Sequence, residues 1–207
     1  MYSPNDKKGF NFKDLIVIII VAIAIYHVFI KEETIVYRDG ILAEGTPIQN
    51  KIEGEKMFYF KDYGFEKLAS YKIKAKVLSR KTYNSELSPI DLALGWSKMS
   101  NEEVIKDLDI SQSGRWYHYS WKDTSKLKIT PREIIRSSAN THIIPANKIV
   151  EQTALNIRRG EFVEMSGYLV KVTGKNGFRW KSSTTRNDSG NGGCEVFYVE
   201  TIKVVQP

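Results

Sequence analysis

His142 and Cys194 are the side chains of this 207-residue chain best suited to acid–base or nucleophilic work. An imidazole titrates near neutrality, and a thiolate is a strong nucleophile. The chain holds two other histidines, His27 and His118, and no second cysteine. His142 closes the run Ser137-Ser138-Ala139-Asn140-Thr141-His142, which sets hydroxyls beside the ring. Ser182, Ser183 and Asp188 follow in a later segment. The catalytic candidates are therefore His142, Ser138, Ser183, Asp188 and Cys194, as a Ser–His–Asp or a Cys–His arrangement. No G-x-S-x-G elbow or other hydrolase signature accompanies them. The competing reading has His142 packed beside Pro145, bonding to loop carbonyls.

A second set interleaves cations with a ring. Lys175, Arg179, Trp180, Lys181 and Arg186 surround the turn Gly174-Lys175-Asn176-Gly177. Aromatic faces stack bases and cations hold phosphates, and the same set suits lipid headgroups or a glycan. Against this, Trp180 could be core and the lysines merely solvated. Trp96, Trp116 and Trp121 also read as core or interface anchors. Gly190-Asn191-Gly192-Gly193 is glycine-rich, but it precedes a strand and lacks the P-loop lysine. His118 and His142 are not at a metal-ligand spacing and no CxxC occurs, so the sequence implies no metal and no cofactor.

These groups need a scaffold, and the charge says where it is basic. The net charge is +7. Residues 1–33 balance Lys7, Lys8, Lys13 and Lys31 against Asp6, Asp14, Glu32 and Glu33, so the whole excess lies beyond them. A lone cysteine excludes an internal disulfide.

Leu15 to Ile30 is an uncharged, mostly aliphatic run of about 24 Å as a helix. It reads as a transmembrane anchor over 15–31, after a tail at 1–14 and before a soluble domain at 34–207. Tyr26 and His27 suit an interface. Ala22-Ile23-Ala24 resembles a signal-peptide cleavage site but lies inside the run. Three lysines precede the run, while Lys31 and Arg38 follow it. By that margin of one charge the N-terminus is cytoplasmic and the domain external, on the inner membrane.

Beyond the anchor the expected class is α+β: one β-rich domain, a curled sheet or small barrel, with short helices. Residues 34–66 suggest short strands and turns. Tyr71 to Val77 alternates strictly, with Lys72, Lys74 and Lys76 on one face, as suits an edge or an exposed sheet surface. Ser88-Pro89 before Ile-Asp-Leu-Ala-Leu and Gly95 predicts a short helix. Ser100 to Glu103 has capping-box spacing, and Thr130-Pro131 opens another helix. Trp116 to Trp121 reads as a strand, and Ile143-Ile144 as a buried extended stretch. Residues 147–157 carry a helical stripe. Phe162 to Thr173 is a long strand that changes phase near Gly167, predicting a bulge or bend. A hairpin at Gly174–Gly177 and a final strand from Cys194 to Val205 complete the pattern.

Residues 158–205 resemble, at fold level, an OB-type barrel. Ser88 to Trp96, Ser111 to Tyr117, Ser138 to Ala146 and Gly190 to Glu195 resemble stretches of small bacterial single-pass membrane proteins of unknown function, which implies no activity. The favoured expectation is a membrane-anchored interaction module whose partners are the lipid bilayer and a membrane-proximal protein or anionic lipid. A membrane-tethered hydrolase or transferase built on His142 comes second, and OB-like nucleic-acid binding third.

Overall fold

The computed structural model describes residues 12–25, 34–54, 56–185 and 193–207. The chain divides after Glu33 into two units. In the first lies α1 (Phe12–Ile25), of 14 residues. Among the described residues no helix is long and apolar enough to cross a membrane. This overturns the expected N-terminal transmembrane anchor helix, and with it the single-pass inner-membrane placement and the external domain. Tyr26 to Lys31, the rest of the expected span, lie outside the described residues.

The second unit is built on one long strand. β3 (Tyr63–Thr82) follows two short strands, β1 (Ile48–Lys51) and β2 (Met57–Phe60), that both pair with it. It continues antiparallel to β4 (Ile90–Gly95), which pairs with β7 (Ser138–Pro145). β10 (Glu195–Val205) lies parallel to β7 and antiparallel to β8 (Phe162–Thr173), and β8 returns to β3. The ring β3-β4-β7-β10-β8 is thus closed. Its third and fifth strands in chain order are the parallel pair, and α4 (Lys148–Asn156) links the third to the fourth. That ring runs over residues 63–205, so the closed sheet draws on far more of the chain than the stretch 158–205.

Alternation fills the interior. Tyr71, Ile73, Ala75 and Val77 of β3 meet Leu92 and Leu94, Ile143, Val163 and Met165, and Phe197 and Val199 in one core. Val150 and Ala154 of α4 close one end of this cluster. Asn147 caps α4 by accepting from the backbone N–H groups of Ile149 and Val150.

Two further clusters clad the outside of the barrel. One holds Leu78, Ala93, Met99, Leu108, Ile110, Ile129 and Ile134. It lies under α2 (Glu102–Ile105), the hairpin of β5 (Leu108–Ser113) and β6 (Trp116–Trp121), and α3 (Pro131–Ser137). The other joins Phe65, Leu87, Ile144, Val170, Val172 and Val196, with Phe58, Trp180 and Tyr198 against them. The short β9 (Arg179–Lys181) carries Trp180 and pairs with β8.

The outer clusters explain three departures from the sequence expectations. Residues 90–95 are strand β4, not a helix, because all six are buried. One face meets the interior and the other the outer cladding, which erases any amphipathic period. The lysine face of β3 is not an edge, since β3 is hydrogen-bonded on both sides. Lys72 is exposed, but Lys76 is buried with Nζ 2.6 Å from Glu102 Oε2. β8 carries no bulge at Gly167. Val163, Met165 and Leu169 face the interior, while Val170 and Val172 face the outer aromatic cluster. The irregularities sit on its partners, in β10 between Val199 and Thr201 and in β3 between Lys67 and Ala69.

The helix starts differ in detail. Thr130 and Glu133 form the reciprocal capping box of α3. At α2 the cap is Asn101, whose side chain accepts from Glu103 N. Buried Ser100 instead donates to Ser97 O at 2.7 Å and accepts from Ala43 N at 3.1 Å.

Candidate functional site

β4 carries an aspartate inside an apolar run, and the geometry of the site follows from it. Asp91 is 0% exposed, on the outer side of β4 away from the barrel core. An uncompensated carboxylate there would be costly, so a guanidinium is held against it and an imidazole stands beside it. Arg115 Nη1 lies 2.9 Å from Asp91 Oδ1, and His142 Nδ1 lies 2.9 Å from the same oxygen. His142 is 3% exposed and stands opposite Asp91 in the β4–β7 register.

Arg115 sits at the tip of the β5–β6 hairpin, where Gly114 and Arg115 both have positive φ, at 56° and 65°. Such a two-residue turn fits the twist of a tight hairpin. The tip is fastened on several sides. Arg115 Nη2 donates to Ser88 O at 2.9 Å, and Arg115 N donates to the Tyr83 hydroxyl at 3.1 Å. The guanidinium lies 4.1 Å over the Tyr83 ring. Asn140 Nδ2 donates to Arg115 O at 2.9 Å, while its Oδ1 accepts from Gln112 Nε2 at 2.7 Å. Burial, reinforced by the Asp91 charge, raises the Tyr83 pKa and keeps the phenol protonated.

Beside this cluster opens a cleft of about 350 Å³, lined by Arg115, Trp116, His142, Arg179, Trp180, Lys181 and Cys194. The Trp180 ring packs 4.6 Å from the His142 ring at 46°, and the Arg115 guanidinium lies 5.4 Å from it. Trp116 is 38% exposed. Arg179 and Lys181 are exposed, with no carboxylate partner among the described residues. With Trp180 packed on His142, Trp116 exposed, and Arg179 and Lys181 exposed at the rim, the cleft can hold an anion attached to a flat ring.

The residues singled out by sequence divide accordingly. Arg179, Trp180, Lys181, His142 and Cys194 come together on this cleft. Lys175 does not line it and stands 3.6 Å from Asp62. Ser138 lies four residues along β7 from His142, roughly 13 Å away, and its hydroxyl donates to Ile134 O at 2.8 Å. Ser183 is buried and holds the exit from β9. Its N–H donates to Cys194 O at 2.9 Å, and its hydroxyl accepts from Thr185 N at 3.1 Å. The Cys194 thiol accepts from Asn140 Nδ2 at 3.7 Å. Asp188, Arg186 and the glycines at 190 and 192 lie outside the described residues. Among the described residues no group of three or more His, Cys, Asp or Glu side chains could hold a metal ion.

Sequence reasoning missed Asp91, Arg115 and Tyr83. The available signal was the charge itself. Reading residues 90–95 as a strand buried on both faces would have made Asp91 a carboxylate in need of a partner.

No family model matches the chain, and no curated protein and no solved structure matches it.

Proposed function

We propose that the protein is a binding module whose cleft takes an anionic ligand carrying a planar ring, of the phosphate-plus-base kind. One observation carries this reading. Arg179 and Lys181 flank Trp180 on β9 beside Trp116, and no described carboxylate neutralises either cation. The net charge of +7 supports it, because attraction from the whole surface raises the local concentration of anions. Arg115 contributes less charge, since Asp91 already faces it.

Titration of tryptophan fluorescence with thymidine 5′-monophosphate tests the reading. The R179A/K181A double variant is expected to lower affinity by about tenfold or more, as removal of charge-assisted hydrogen bonds does. Trp116→Ala is expected to cost a similar factor, because the base then has one stacking face fewer. Raising salt should weaken the wild type more than the double variant. Saturation unchanged in both variants would refute the cleft, and capture of a protein with no response to the nucleotide would move the module to another ligand class.

Cys194 and His142 on one cleft, with Asp91 behind the imidazole, also fit a thiol nucleophile. In that case His142→Gln slows alkylation of Cys194 by iodoacetamide near neutral pH, by about tenfold. Equal rates in the two proteins would dismiss the nucleophile and leave the binding cleft untouched.

A further inference from the structure

Lys181 is a wall shared by two cavities. On one side is the cleft just described, and on the other is a larger cavity of about 510 Å³. The larger one is lined by Gln49, Lys51, Lys67, Leu68, Lys181 and Thr184, among others. Three elements build it. β1 supplies Gln49 and Lys51. β3 supplies Lys67 and Leu68 at the point where its pairing with β8 slips. The segment leaving β9 supplies Thr184, whose carbonyl accepts from Gln49 Nε2 at 2.8 Å. That bond, with Ile52 N donating to Leu68 O at 3.0 Å, ties β1 and the segment after it to both neighbours and frames the opening.

The cavity is cationic in a specific way. Its carboxylate, Glu66, is already matched by Lys171 at 2.8 Å. Lys51 is exposed and has no carboxylate partner among the described residues. The Lys67 ammonium is held 3.7 Å over the Tyr168 ring, which fixes its position without neutralising it. Ile52 and Leu68 add apolar surface to the same cavity. Cation, flat or apolar contact, and cation again therefore recur from Arg179 through Lys181 to Lys51 and Lys67. A ligand of single-nucleotide size would occupy the first cavity and leave the second set of charges unmatched. A chain of alternating phosphates and bases would engage both.

We infer that the two cavities form one track for a single-stranded nucleic acid, with the first base on Trp116 and Trp180 and the following phosphates on Lys181, Lys51 and Lys67. This rests on the phosphate-plus-base reading of the cleft and extends it to a polymer. Backbone contacts of this kind predict sequence-tolerant, salt-sensitive binding.

Fluorescence anisotropy with oligothymidylates of about four and eight residues, set beside thymidine 5′-monophosphate and inorganic polyphosphate, tests it. The eight-residue strand is expected to bind at least tenfold tighter than the mononucleotide. Lys51→Ala with Lys67→Ala should remove that gain while leaving mononucleotide affinity unchanged. The slope of log affinity against log salt should flatten by about 0.7 for each phosphate that no longer meets a lysine. Lys51→Ala alone, at an exposed side chain in no described ion pair, gives the same readout at half size if the double variant unfolds. Equal affinity for the strand and the mononucleotide overturns the track but leaves the cleft standing. Equal affinity for the strand and for polyphosphate overturns the nucleic-acid assignment. Failure of both the strand and the mononucleotide to bind overturns the cleft as well.

Discussion

Arg115→Ala is expected to lower unfolding free energy by roughly 3 kcal/mol, at the low end of the cost of breaking a buried ion pair because the arginine is partly hydrated. Asp91 is 0% exposed and the Arg115 side chain 28%, so the variant strands the carboxylate rather than the guanidinium. His142 remains 2.9 Å away but is itself buried. The same substitution removes the bonds from the hairpin tip to Ser88 and unstacks Tyr83. Urea unfolding measures the effect. Asp91→Asn in the Arg115→Ala background should restore a good part of the stability, because the stranded charge is then gone. A drop below about 1 kcal/mol, or no recovery in the double variant, would mean that the pair does not organise this face.

Gly167→Ala should be at least as damaging, at about 3 kcal/mol or more. Gly167 has φ +155°, and a Cβ there would stand 2.1 Å from Tyr198 O and 3.0 Å from Glu200 N. Those atoms belong to the irregular stretch of β10, where Glu200 is the extra residue that breaks the register between Val199 and Thr201. The close approach is backbone to backbone, so no side-chain rotation relieves it. Gly177→Ala is the control. Its φ is +76° but open space surrounds it, so only the left-handed backbone penalty of about 1–2 kcal/mol applies. Thermal unfolding that ranks the two variants equally would show that the β8–β10 contact yields easily.

How much of this is legible in the sequence depends on how local the cause is. Strict alternation from Tyr71 to Val77 marks β3, and Thr130 with Glu133 marks the start of α3. β4 reads as a helix because Ser88-Pro89 and Gly95 are strong helix punctuation, while its burial on both faces comes from residues far along the chain. That error hides Asp91, and with it the reason for Arg115 and His142 to meet. The aliphatic run from Leu15 reads as a membrane span on hydropathy alone, yet among the described residues no helix is long and apolar enough to cross a membrane. Arg179, Trp180 and Lys181 stand out because they are neighbours in sequence. Lys51 and Lys67 join them only through Gln49 to Thr184, a contact that no local pattern encodes.

The place of β10 in the ring governs the order in which the molecule can assemble. β7 precedes β8, but they do not pair with each other; β10 lies between them, parallel to one and antiparallel to the other. Before β10 emerges during synthesis, both strands offer a bare row of amide and carbonyl groups to any neighbouring chain. The interior then also lacks Phe197 and Val199. Ring closure is accordingly a late, long-range event that makes for slow folding. A nascent chain arrested before Glu195 therefore carries two unpaired strand edges and an incomplete core.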